Sequence, residues 1–131
     1  MKWNKKYNYP SSTRSVHQGF RHYALNNQML PSVTSIIEMT KTDNEKESLA
    51  AWKLRVGEAE SSAISREATK RGSEMHSNIE QFLLGKDNLN LFEDEEEKSK
   101  SRMMSDLIIE EGLRDKLEEI HGVECVLYYP G

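Results

Sequence analysis

Between Glu60 and Leu84 the apolar residues Ile64, Ala68, Met75, Ile79, Phe82 and Leu83 recur at steps close to 3.6 residues. That spacing predicts one long amphipathic helix, and the rest of the chain has to organise around it. Gly85 follows Leu83-Leu84 as a plausible left-handed stop. Within the helix, Gly72, His76 and Glu80 stand at i, i+4 and i+8 and so stack along one line. Glycine costs roughly 1 kcal/mol against alanine inside a helix. Its place beneath His76 makes room close to the backbone, either for a neighbouring helix or for a group bound near the imidazole. His76 and Glu80 offer a nitrogen and an oxygen to one divalent metal. Alternatively, Glu80 orients the ring, or His76 is a boundary residue with a satisfied hydrogen bond.

Shorter elements precede this helix. Residues 1–16 are polar and aperiodic, and residues 1–18 read as a flexible basic arm. GFRHYAL, Asn26-Asn27 and QML form a predicted hairpin, because asparagine tolerates left-handed turn geometry. Pro31 ends it, and Ser32 is placed to cap a short helix over VTSIIEM. Thr42, Asp43 and Asn44 mark the start of a second helix, with Asp43 and Glu45 at the positive end of its dipole. Its apolar side is Leu49, Trp52, Leu54 and Val56, ahead of Gly57. Trp52 reads as a core anchor rather than a base-stacking platform.

After the long helix, KDNLNLFEDEEEK reads as a solvated acidic loop. A further helix is predicted from about Ser99 to Ile120, with Met103, Leu107, Ile108, Leu113, Leu117 and Ile120 inward. VECVLYY then reads as a strand, and Pro130-Gly131 as the opening of a turn. A strand ending at a turn with no partner leads to the expectation that the natural protein continues past Gly131.

Composition narrows the class. Hydrophobic residues make up 36% and charged residues 31%, a mix suited to a helix-rich globular chain. No apolar run approaches the roughly 18 residues of a membrane span, and no secretory signal is evident. Cys125 is the single cysteine, which excludes an internal disulfide and a multi-cysteine metal site. A reducing, cytoplasmic setting is expected, that of the host if the chain is phage-encoded. Residues 1–37 hold five cations (Lys2, Lys5, Lys6, Arg14, Arg21) and no acid, so the other residues carry −9 against a net charge of −4. Such an arm either contacts nucleic-acid phosphates or acts as a solubilising tail.

Three motifs in order support a resemblance: Arg21-x-Tyr23, Pro31-Ser-Val-Thr34 and Gly72-x-x-x-His76. Together with Trp52 and the Val123–Tyr129 segment, residues 19–131 resemble the N-terminal, helical part of RecB-like PD-(D/E)XK exonucleases of the phage and mitochondrial genome-maintenance type. The resemblance implies a mainly α chain with a small N-terminal hairpin and a C-terminal strand, forming the helical portion of an α/β nuclease fold. It implies metal-dependent phosphodiester hydrolysis with Mg2+ or Mn2+, on DNA single strands or ends, in replication, recombination or repair. His76 takes the position of a metal ligand. Glu80 and Glu124 are the candidate catalytic carboxylates, although Glu124 can also be read as an edge-strand charge that discourages aggregation. Ser32, Thr34 and Arg71 are candidate DNA contacts, although a plain helix cap and a surface ion pair are equally simple accounts of them.

The resemblance places the family's aspartate and its Asp/Glu-x-Lys pair after the Val123–Tyr129 segment, beyond Gly131. The expectation is therefore an inactive fragment that binds no catalytic metal tightly. The alternative is a non-catalytic helical module that binds DNA or protein. His17, His22 and His121 have no constellation around them in the sequence.

Overall fold

A computed structural model describes residues 1–86 and 99–129. The fold is mixed α/β, with about 53% of the described residues helical and a small antiparallel sheet. By contacts the chain divides into two compact units, one made of Met1–Asn8 and Ser62–Glu124, the other of Tyr9–Ser61 and the segment from Cys125.

The second unit is a three-stranded meander followed by helices. Strands β2 (Thr13–His17), β3 (Phe20–Leu25) and β4 (Gln28–Pro31) pair antiparallel in that order. The predicted hairpin is β3–β4, closed by Asn26 and Asn27 at φ 49° and 61°. Both asparagines are left-handed, as a two-residue turn matching the strand twist requires. A second tight turn, Gln18-Gly19 at φ 51° and 80°, brings β2 onto β3. Helix α1 (Val33–Thr40) starts directly after Pro31 with Ser32 as its cap, and α2 (Asp43–Val56) starts after Thr42. Thr42 and Glu45 form a reciprocal capping box. Leu25, 3% exposed, is this unit's buried apolar residue among those described. Asn26 Nδ2 donates to Tyr128 Oη at 3.2 Å.

The first unit is built on α3 (Glu58–Leu83), whose 26 residues match the predicted long helix. The helix stops in a Schellman motif. Gly85 N–H bonds to the Phe82 carbonyl, Lys86 N–H bonds to the Gln81 carbonyl, and Gly85 has φ 67°. Helix α4 (Lys100–Ile108) is capped by Ser99. Short strands β1 (Lys2–Trp3) and β5 (Glu119–Ile120) pair in parallel. Ile109 and Ile120 are buried, and so are Ser101 and Ser105.

Several expectations are corrected. The first 18 residues contain two strands, β1 and β2, because partners elsewhere in the chain satisfy their backbone groups. The last helix is shorter than predicted. From Ile109 to Leu113 it widens to a π-helix, with Arg114 N–H on the Ile109 carbonyl at 2.7 Å, and it ends as Asp115 turns left-handed at φ 59°. Val123–Tyr129 is not a strand. Glu124 at φ 52° breaks the extended run, and no described segment pairs with it.

The predicted inward residues Ile64, Met103, Leu107 and Ile108 are exposed, as are Leu49 and Leu54 of α2. Trp52 is half-buried. The acidic loop around Glu93–Glu97 and the Pro130-Gly131 turn lie outside the described residues.

Candidate functional site

Helix α3 presents two adjacent rows to one open cleft of about 500 Å³. One row is Gly72, His76 and Glu80; the other is Thr69, Ser73 and Ser77. Four-residue spacing places each row along a single line of the helix. Glu124 completes the lining. His76 and Glu124 are exposed and Glu80 is half-buried.

A Cβ built on Gly72 meets nothing within 4 Å. Of the two accounts of this glycine, no helix among the described residues packs against it, and the space above its backbone is open. Glu124 reaches the cleft from a left-handed backbone conformation that costs a non-glycine residue roughly 1–2 kcal/mol. Such strain is sustained only where surrounding contacts hold it.

The sequence placed Gly72, His76 and Glu80 together; the fold adds Glu124, 44 residues beyond Glu80. The hydroxyls of Thr69, Ser73 and Ser77 were missed. Their signal was the same four-residue spacing, one position out of phase with the histidine row. Among the described residues, no group of three His, Cys, Asp or Glu side chains is close enough to hold a metal ion. The donors present share a cleft without closing a coordination site.

Arg71 stands outside the cleft lining. Its Nη1 pairs with Glu67 Oε1 one turn earlier at 3.8 Å. An exposed i,i+4 pair of this kind is worth about 0.3–0.5 kcal/mol.

Ser32 and Thr34 belong to the other unit. Ser32 is buried, and its hydroxyl accepts from Ser35 N–H at 3.1 Å and donates to Ser35 Oγ at 2.9 Å. Thr34 Oγ1 lies 3.0 Å from Ser32 Oγ. Ser35 in turn ties down β3, accepting from Arg21 N–H at 3.1 Å and donating to the Arg21 carbonyl at 3.2 Å. The Ser32 hydroxyl is therefore committed to capping and to joining hairpin and helix, a role in which Ser35 was not anticipated.

Arg21, Tyr23, Ser32 and Thr34 line a second, more enclosed cavity of about 590 Å³ together with Leu25 and Tyr128. No helix among the described residues is long and apolar enough to cross a membrane. Compared with protein-family models, curated proteins and solved structures, the chain matches none.

Proposed function

We propose that this chain is the helical portion of a RecB-like PD-(D/E)XK exonuclease and contributes one wall of a Mg2+- or Mn2+-dependent phosphodiesterase site acting on DNA single strands or ends. The observation that carries this reading is the convergence of Gly72, His76, Glu80 and Glu124 on one open cleft. One imidazole and two carboxylates make a mixed nitrogen and oxygen donor set, and a bare glycine beside them leaves the backbone approachable. In this proposal His76 is a metal ligand, and Glu80 and Glu124 supply the carboxylates. Thr69, Ser73 and Ser77 offer hydroxyls to phosphate oxygens. Arg71, after exchanging its pairing with Glu67, and Thr34 are phosphate contacts. Ser32 serves by holding the start of α1.

Among the described residues the donors do not close a metal site. By this reading the chain alone is inactive and holds Mn2+ weakly. Weak binding is still local, so paramagnetic Mn2+ titrated into the labelled chain should broaden the amide signals of Gly72–Glu80 and Glu124 first. His76→Ala should remove that focus. Broadening spread over the surface, or confined to the acidic residues 93–97, would defeat the proposal.

The exposed Ile36, Ile37 and Met39 of α1 and Met103, Met104 and Leu107 of α4 favour a second reading, a non-catalytic module binding DNA or protein. Salt-dependent binding of single-stranded DNA without any Mn2+ focus at His76 would select it.

A further inference from the structure

The hairpin of β2 and β3 brings together two histidines that the nuclease reading does not use. His17 ends β2, and His22 lies within β3. His17 stands opposite Phe20 and His22 opposite Ser15, so the two imidazoles are diagonal neighbours on one face of the hairpin. Their ring centroids are 6.1 Å apart, with the planes at 82°. Arg14 and Arg21, the hairpin's own cations, alternate with these positions and lie on the opposite face. The turn between the strands is only Gln18-Gly19, so the register of the pair is fixed before any ligand arrives.

His22 Nδ1 lies 3.1 Å from the Phe20 carbonyl oxygen. A carbonyl only accepts, so Nδ1 carries the hydrogen in this contact and the Nε2 lone pair remains available. A backbone carbonyl on the far ring nitrogen is the arrangement that orients metal-binding histidines.

We infer that His17 and His22 form a two-imidazole site for a borderline divalent transition cation, with Cu2+ held more tightly than Ni2+ or Zn2+. The order follows from the preference of nitrogen ligands along the first-row series. Metal–nitrogen bonds of about 2.0–2.1 Å place the centroids of two rings on one ion roughly 4.5 Å apart at a right angle and roughly 6.5 Å apart when linear; the observed 6.1 Å lies between them, and the exposed His17 ring has room to turn toward either. Water completes the coordination. Imidazole pairs discriminate against Mg2+, which prefers oxygen, so this site is chemically distinct from the cleft on α3.

Calorimetric titration of the whole chain with Ni2+ tests the inference. One equivalent should bind, and His17→Gln and His22→Gln should each weaken binding by about a hundredfold, because the second bond is intramolecular. The double substitution should add little to either single one. His121→Gln is the control and keeps the site. Losses of about twofold that simply add would mean two independent histidines and would overturn the proposal. So would binding that survives both hairpin substitutions and disappears with His76→Gln. Far-UV spectra of each variant without metal check that the fold is intact. If His22→Gln unfolds the sheet, His17→Gln decides, through loss of the Ni2+-induced rise in melting temperature.

Discussion

The unit built on the β2–β4 meander and the unit built on α3 and α4 are stabilised differently. In the meander unit, short-range chemistry dominates: left-handed Asn26-Asn27, a tight Gln18-Gly19 turn, and hydroxyl caps at Ser32 and Thr42. In the α3–α4 unit, the apolar stripe of α4 faces solvent at Met103, Met104 and Leu107, while its serines are buried. Asn78 Nδ2 donates to Ser105 Oγ at 3.1 Å, and Ser101 Oγ donates to Glu74 Oε2 at 2.7 Å. Hydrophobic periodicity alone would have placed the opposite face of α4 inward. The contrast teaches that a period identifies a helix, whereas the partner available to it decides which face is buried.

Core truncations strike this contrast hardest. Leu25→Ala in one unit and Ile109→Ala in the other each remove a side chain only 3% exposed, and each should cost about 2–5 kcal/mol in denaturant unfolding. Met103→Ala and Leu107→Ala should each change stability by less than about 0.5 kcal/mol. A cost for Leu107→Ala equal to that of Ile109→Ala would mean that the stripe of α4 is covered in solution.

Ser105→Val comes next. Ser105 is fully buried and donates to the Arg102 carbonyl at 2.9 Å as well as accepting from Asn78. Leaving the Asn78 amide without that acceptor should cost about 1–3 kcal/mol. If Ser105→Val were stabilising, the α3–α4 packing would be apolar in character after all.

The caps follow. Ser32→Ala, Thr42→Ala and Ser99→Ala should each lose about 1 kcal/mol. Ser32→Ala should lose the most, because the same hydroxyl also bonds Ser35. Amide hydrogen exchange at the first turn of each helix measures this order.

The smallest effect is the pH dependence of α2. Glu45 accepts from the Thr42 backbone N–H and hydroxyl, both at 2.8 Å, and these bonds hold its carboxyl below the ordinary glutamate range. A depressed folded-state pKa gives stabilisation that is present above the ordinary range and lost as pH falls through the lower, folded value. Helicity of α2 should therefore decline through that acidic window. Glu45→Gln should show no such decline.

Much of the first part of the chain was legible because its signals are local. Asn-Asn turn chemistry, the Ser32 and Thr42 caps and the Gly85 stop each act within a few residues. The row Gly72, His76 and Glu80 was legible for the same reason, since a helix fixes the neighbours of every fourth residue.

Only tertiary structure decided the rest. It brought Glu124 to the row on α3, paired Lys2–Trp3 with Glu119–Ile120, and left Val123–Tyr129 without the strand its composition suggests. It also joined His17 to His22. Strand pairing and face burial need a partner distant in sequence, and local propensity does not specify that partner. The sequence by itself determined where most of the helices begin and end; the tertiary partners determined which side chains they bury.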